Sequence, residues 1–97
     1  LTARLFVQMA ERAGNDPLAL AAFLRHRRPP FTAEELAGVT CPVLIVIGDR
    51  DFAGPADPLA AALPDSRTVV LPGIDHFRVT SEFACIDAVL AFLDLAP

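Results

Sequence analysis

Asp51 and His76 are the two residues of this sequence best suited to share a proton relay. Asp51 closes the run Gly48-Asp49-Arg50-Asp51, and His76 closes Gly73-Ile74-Asp75-His76, 25 positions further on. An ionised carboxylate that accepts the imidazole Nδ1–H fixes the histidine tautomer and leaves Nε2 as a general base. It also stabilises the imidazolium formed when Nε2 takes a proton. Such a pair is two-thirds of a nucleophilic triad. Asp49 and Asp57 are rival acids, Asp49 suited to an Asx bond in the turn and Asp57 to a helix N-cap, and Asp75 is the weakest candidate. The three acids Asp49, Asp51 and Asp57 lack the spacing and the bidentate Glu of a calcium loop, so they read as solvated loop carboxylates. Phe77, directly after His76, is placed either to line a substrate pocket or to pack inward.

For the acid and the histidine to meet, the segments before them must lie side by side. Pro42-Val43-Leu44-Ile45-Val46-Ile47 is an unbroken apolar, β-branched run, the pattern of a strand covered on both faces of a parallel sheet. Residues 67–71 form a second strand. Nineteen residues separate Ile47 from Arg67, enough for a helical crossover between parallel strands and too many for a tight hairpin. Adjacent strands lie about 4.8 Å apart, so both loops leave the carboxyl edge together, where parallel sheets bind ligands. Within the crossover, Asp57 and Pro58 read as N-cap and first residue of a short helix, and Pro64-Asp65-Ser66 as a turn. Ser81 is expected to cap a last helix with Phe83, Ile86, Val89, Leu90 and Leu93 on one apolar stripe.

Three helices come first. One spans residues 2–13, with Gly14 and Asn15 ending it, and a second opens at Asp16-Pro17 and closes at Arg25-His26-Arg27-Arg28, where cations complement the helix dipole. His26 there reads as a surface residue. Pro29 and Pro30 block continuation, and Thr32-Ala33-Glu34-Glu35 is a capping box for a short helix stopped by Gly38. Phe6, Phe23, Phe83 and Phe92 are assigned to core or lid packing. The order of three helices, strand, helix, strand, helix is an α/β pattern.

Composition narrows the partners. The chain has 97 residues, eight Arg and no Lys against twelve Asp and Glu, a net charge of −4 and 54% hydrophobic residues. Such a surface lacks the cationic density by which nucleic-acid binders release counterions, and it disfavours anionic membranes. No apolar run approaches the length of a membrane span. Cys41 and Cys85 have neither disulfide-framework nor zinc-ligand spacing, so two buried thiols in a cytoplasmic protein are expected. The chain opens with Leu1 rather than Met, which reads as a start that is processed, trimmed or not the start of the gene.

At these residues the sequence resembles the carboxyl-terminal portion of the α/β-hydrolase superfamily. In that family the acid follows a Pro-x-Leu strand in a Gly-x-x-Asp loop, and the histidine follows the last strand in a Gly-x-x-His loop before a terminal helix. Here Pro42-Val43-Leu44 leads to Gly48-Asp49-Arg50-Asp51, and Val69-Val70-Leu71-Pro72-Gly73-Ile74-Asp75-His76 leads to a helix ending Ala91-Phe92-Leu93. The resemblance covers residues 32–97 and puts Asp51 ahead of its rivals as the acid. Residues 1–31 resemble the helical cap or lid that precedes this portion. The Gly-x-Ser-x-Gly nucleophile elbow is absent, since Ser66 and Ser81 stand in other contexts, and no oxyanion loop is present. The resemblance therefore implies strand-helix-strand-helix units of a larger parallel sheet, incomplete alone, with Asp51 and His76 catalytic and Phe77 against substrate. It implies hydrolysis of a small ester, thioester or amide once a nucleophile is supplied, with no cofactor or metal. The open strand edge predicts association, either with a missing amino-terminal part or with a second copy as a homo-oligomer. The alternative expectation is a noncatalytic module that self-associates through that edge. A small ligand-binding domain using the Gly48 loop ranks last, with no Gly-rich phosphate loop to support it.

Overall fold

A computed structural model describes residues 2–26 and 28–94. They fall into two units, one up to Pro30 and the other from Phe31. In the first unit, α1 (Thr2–Arg12) and α2 (Pro17–Arg25) are joined by a turn whose bonds are dictated locally. Gly14 adopts φ 72°, which a side chain would disfavour. Its N–H donates to the Glu11 carbonyl at 3.1 Å, and the Asn15 N–H donates to Ala10 at 3.0 Å. This is the Schellman closure that satisfies the last carbonyls of α1. Asp16 then caps α2, its Oδ1 accepting the Leu18 N–H at 2.9 Å, with Pro17 at a position where a missing N–H costs nothing. His26 ends α2 and is exposed. Phe6 and Phe23 are 44% and 72% exposed, so neither ring is buried in a core.

The second unit is mixed α/β, built on an open two-stranded parallel sheet. Its entry helix α3 (Ala33–Ala37) carries the complete capping box. Thr32 Oγ1 accepts the Glu35 N–H at 3.1 Å, and Glu35 Oε1 accepts the Thr32 N–H at 3.2 Å. Strands β1 (Val43–Gly48) and β2 (Ser66–Leu71) pair from Val43 opposite Ser66 to Gly48 opposite Leu71. Helix α4 (Asp57–Ala62) fills the crossover, and α5 (Phe83–Phe92) lies against both strands. Full burial is confined to Gly48, Ala56 and Leu71 among the described residues. Val43 to Ile47 are half-buried, not covered on both faces. None of the described helices is long and apolar enough to cross a membrane.

Several local expectations fail for identifiable reasons. Asp57 is the first helical residue, not the N-cap. Ala56, buried, holds the cap position, and its carbonyl accepts the Ala60 N–H at 2.9 Å. Ser81 does not cap α5 either. The chain first makes a 3₁₀ turn over Val79–Ser81, which engages the Ser81 N–H with Arg78, and Glu82 takes the cap position. Ser66 begins β2 instead of sitting in a turn, and its Oγ donates to the Ala60 carbonyl at 3.2 Å. Of the expected α5 stripe only Leu90 is half-buried. Phe83 is 83% exposed and Leu93 55%, with Ile86 and Val89 exposed as well, while Cys85, Ala88 and Phe92 are half-buried beside Leu90. With Asp87 its only charge, α5 is apolar nearly all round, so periodicity could not select the packed face. Cys41 is exposed and Cys85 half-buried, correcting the expectation of two buried thiols.

Candidate functional site

The loops leaving β1 and β2 are locked together before any functional side chain is placed. Gly48, the last residue of β1, lies so close to the Ile74 backbone that a Cβ would collide with the Ile74 carbonyl. That carbonyl accepts the Arg50 N–H at 3.0 Å, and the Leu71 carbonyl accepts the Asp49 N–H at 3.0 Å, carrying the ladder past the strand ends. Asp49 adds the reciprocal tie. Its Oδ1 accepts the Gly73 N–H at 2.7 Å, where Gly73 turns the chain at φ 74°. The Asx bond anticipated for Asp49 is therefore replaced by a bond to the opposite loop.

Between these ties Asp51 opens a tight turn. Its carbonyl accepts the Gly54 N–H at 3.1 Å, and its Oδ1 accepts the Ala53 N–H at 2.8 Å. Aspartate at the first position and glycine at the fourth suit such a turn, the carboxylate mimicking a backbone acceptor. The other oxygen, Oδ2, lies 2.9 Å from His76 Nδ1. An ionised carboxylate only accepts, so Nδ1 carries the proton of this bond and Nε2 is left on the opposite side of the ring. The Asp51 side chain is only 7% exposed and that of His76 48%, so the acid is sheltered while the imidazole meets solvent. The Ala53 N–H holds the Asp51 carboxyl below its ordinary pKa; burial opposes this, and the His76 bond and its charge add to it.

The remaining acids have separate duties. Asp75 Oδ1 accepts the Phe77 and Arg78 N–H groups, each at 3.0 Å, and so shapes the turn that presents His76. Asp57 stands at the start of α4 and, with Asp49, Ile47 and Val70, lines a hollow of about 180 Å³ at the carboxyl end of the strands. Phe77 sits edge-on to the His76 ring, centroids 5.7 Å apart with an 87° interplanar angle. A residue that sequence reasoning passed over is Phe52. Its ring centroid lies 4.7 Å from the His76 ring and 6.1 Å from Phe77, and the only sequence signal was its place directly after Asp51. Of the two serines, Ser66 is engaged with Ala60 and Ser81 lies in the 3₁₀ turn. Among the described residues no cluster of three or more His, Cys, Asp or Glu could hold a metal.

Chemically, the arrangement provides a sheltered, doubly bonded carboxylate orienting a solvent-facing imidazole at the carboxyl edge of a parallel sheet. None of the protein-family models, curated proteins or solved structures compared with this chain matches it.

Proposed function

We propose that Asp51 and His76 form the acid and base of a nucleophile–histidine–acid triad in an α/β-hydrolase-like enzyme, with β1, α4, β2 and α5 as closing units of its sheet. The observation that carries this reading is the 2.9 Å bond between Asp51 Oδ2 and His76 Nδ1, made by a carboxylate whose other oxygen is already held by Ala53. The nucleophile comes from polypeptide outside these 97 residues, since the chain holds no Gly-x-Ser-x-Gly elbow. Nε2 takes the proton of that nucleophile as its oxygen or sulfur bonds to the acyl carbon. His76 then returns the proton to the departing alcohol, thiol or amine, and water repeats the sequence on the acyl-enzyme. Asp51 stabilises the imidazolium at each stage. The substrate class is a small ester, thioester or amide, with Phe77 against its apolar part. Two free thiols, one exposed, fit a reducing, cytoplasmic setting.

The test uses the protein as its source cell makes it, including whatever precedes Leu1, assayed on small activated esters. His76→Ala is expected to lose on the order of 10³–10⁴ in kcat, and Asp51→Asn a similar amount, with the fold retained. Activity of His76→Ala within tenfold of the parent defeats the assignment. A second reading, a noncatalytic module that associates with itself, is favoured by the open sheet and by exposed Phe83 and Leu93. Sedimentation velocity separates the two: a dimer persisting at nanomolar concentration, with no upstream nucleophile, favours the module.

A further inference from the structure

Phe52 occupies the first of the two central positions of the turn that holds the acid. Within that turn Asp51 Oδ1 accepts from Ala53 and the Asp51 carbonyl from Gly54, which adopts φ 82°. The same bonds that aim Oδ2 at His76 therefore aim the intervening Phe52 ring at the imidazole. Its ring is tilted 48° to the imidazole at 4.7 Å, whereas Phe77 meets the imidazole edge-on at 87°. Two aromatic neighbours at different inclinations oppose rotation of the imidazole about both of its side-chain torsions, an arrangement the ring quadrupoles favour. The Asp51 bond alone constrains only Nδ1. With a side chain 48% exposed, His76 has water close at hand to compete for that bond.

We propose that Phe52 is a positioning residue: its ring holds the His76 imidazole in the orientation that keeps Nδ1 on Asp51 and screens that bond from water. The proposal rests on the reading of His76 as the base, but its physical content, the state of the imidazole, is measurable without turnover. Long-range ¹H–¹⁵N correlation spectra of the protein as its source cell makes it, recorded with the imidazole neutral, distinguish the Nδ1–H from the Nε2–H tautomer of His76. The parent is expected to show the Nδ1–H form. Phe52→Ala and Phe52→Leu are expected to lose the Nδ1–H resonance to tautomer mixing and exchange, and Phe52→Tyr to restore it by keeping the ring.

Backbone amide spectra report whether each variant folds. If Phe52→Ala does not, Phe52→Leu, which keeps apolar bulk without a flat ring, decides the matter. A folded Phe52→Leu with the parent's His76 spectrum overturns the proposal, as does a Phe52→Tyr variant that fails to restore it while folded. In the nucleophile-bearing enzyme, Phe52→Leu is expected to lower kcat about tenfold with KM unchanged. A rise in KM alone would make Phe52 a substrate contact and refute the positioning role. A harmless His76→Ala there would remove the triad reading while leaving the tautomer result standing, so the two failures are distinguishable.

Discussion

The carboxyl edge of the sheet and the outer face of α5 are opposite in how they are finished. At the edge, Asp49, Asp51 and Asp75 each accept from a backbone N–H, and Gly48 sits against Ile74 with no room for a side chain. On α5, Phe83 is 83% exposed and Ile86 43%, with large apolar side chains facing outward. Hydrogen bonds are short-ranged, so a few neighbouring residues suffice to complete a polar loop. Burial of apolar area needs mass on the other side, and a sheet of two strands offers little of it. The site geometry is thus self-contained, whereas the packing around it is not.

That contrast can be attacked from the strongest link downward. Gly48→Ala forces a Cβ onto the Ile74 carbonyl, which belongs to backbone and cannot swing aside. It is expected to cost about 3 kcal/mol in urea unfolding and to break the Asp51–His76 bond, seen as loss of the Nδ1–H signal. Asp49→Ala removes the acceptor of the Gly73 N–H, a position water can reach, and is expected to cost about 1 kcal/mol by the same measurement. A smaller, pH-dependent effect belongs to Asp51. Its folded pKa is depressed, so its contribution is present above the unfolded carboxylate value of about 4 and is lost as pH falls through the folded value. The urea midpoint should therefore fall in that acid range more steeply in the parent than in Asp51→Asn. The smallest change is expected on the bare face. Phe83→Ser should shift stability by less than about 0.5 kcal/mol, and a loss comparable to that of Gly48→Ala would show that α5 is covered after all.

Features readable in the sequence were those whose partners lie within a few residues. The Thr32–Glu35 capping box, the Asp16-Pro17 start of α2 and the Gly14 stop of α1 all appear as expected, because each is a bond between near neighbours. The parallel pairing of β1 and β2 was also legible, from an apolar run followed by a helix-length connection. Errors arose where tertiary contacts chose among local options. Asp57 and Ser81 are good capping residues in isolation, yet buried Ala56 and the 3₁₀ turn after Arg78 shifted both helix starts. The packed face of α5 was anticipated only at Leu90, because nearly every position on the helix is apolar. Phe52 left no periodic or spacing signal, since its ring contact is with a histidine in the other loop.

By itself the sequence determined the chemistry available. A carboxylate and an imidazole stand after two strand-forming runs, acids and glycines flank them at turn positions, and no nucleophile elbow accompanies them. The Gly-x-x-Asp register favoured Asp51 as the acid, but only the tertiary structure decided that it meets the histidine. Asp49, Asp51 and Asp75 are close in type and setting, and what separates them is the in-register pairing of Gly48 with Leu71 and the close approach of Gly48 to Ile74. Those contacts bring the loops together so that Asp49 reaches Gly73 and Asp51 reaches His76. A strand register is a relation between distant segments, set by packing and ladder bonds that local residue preferences do not encode.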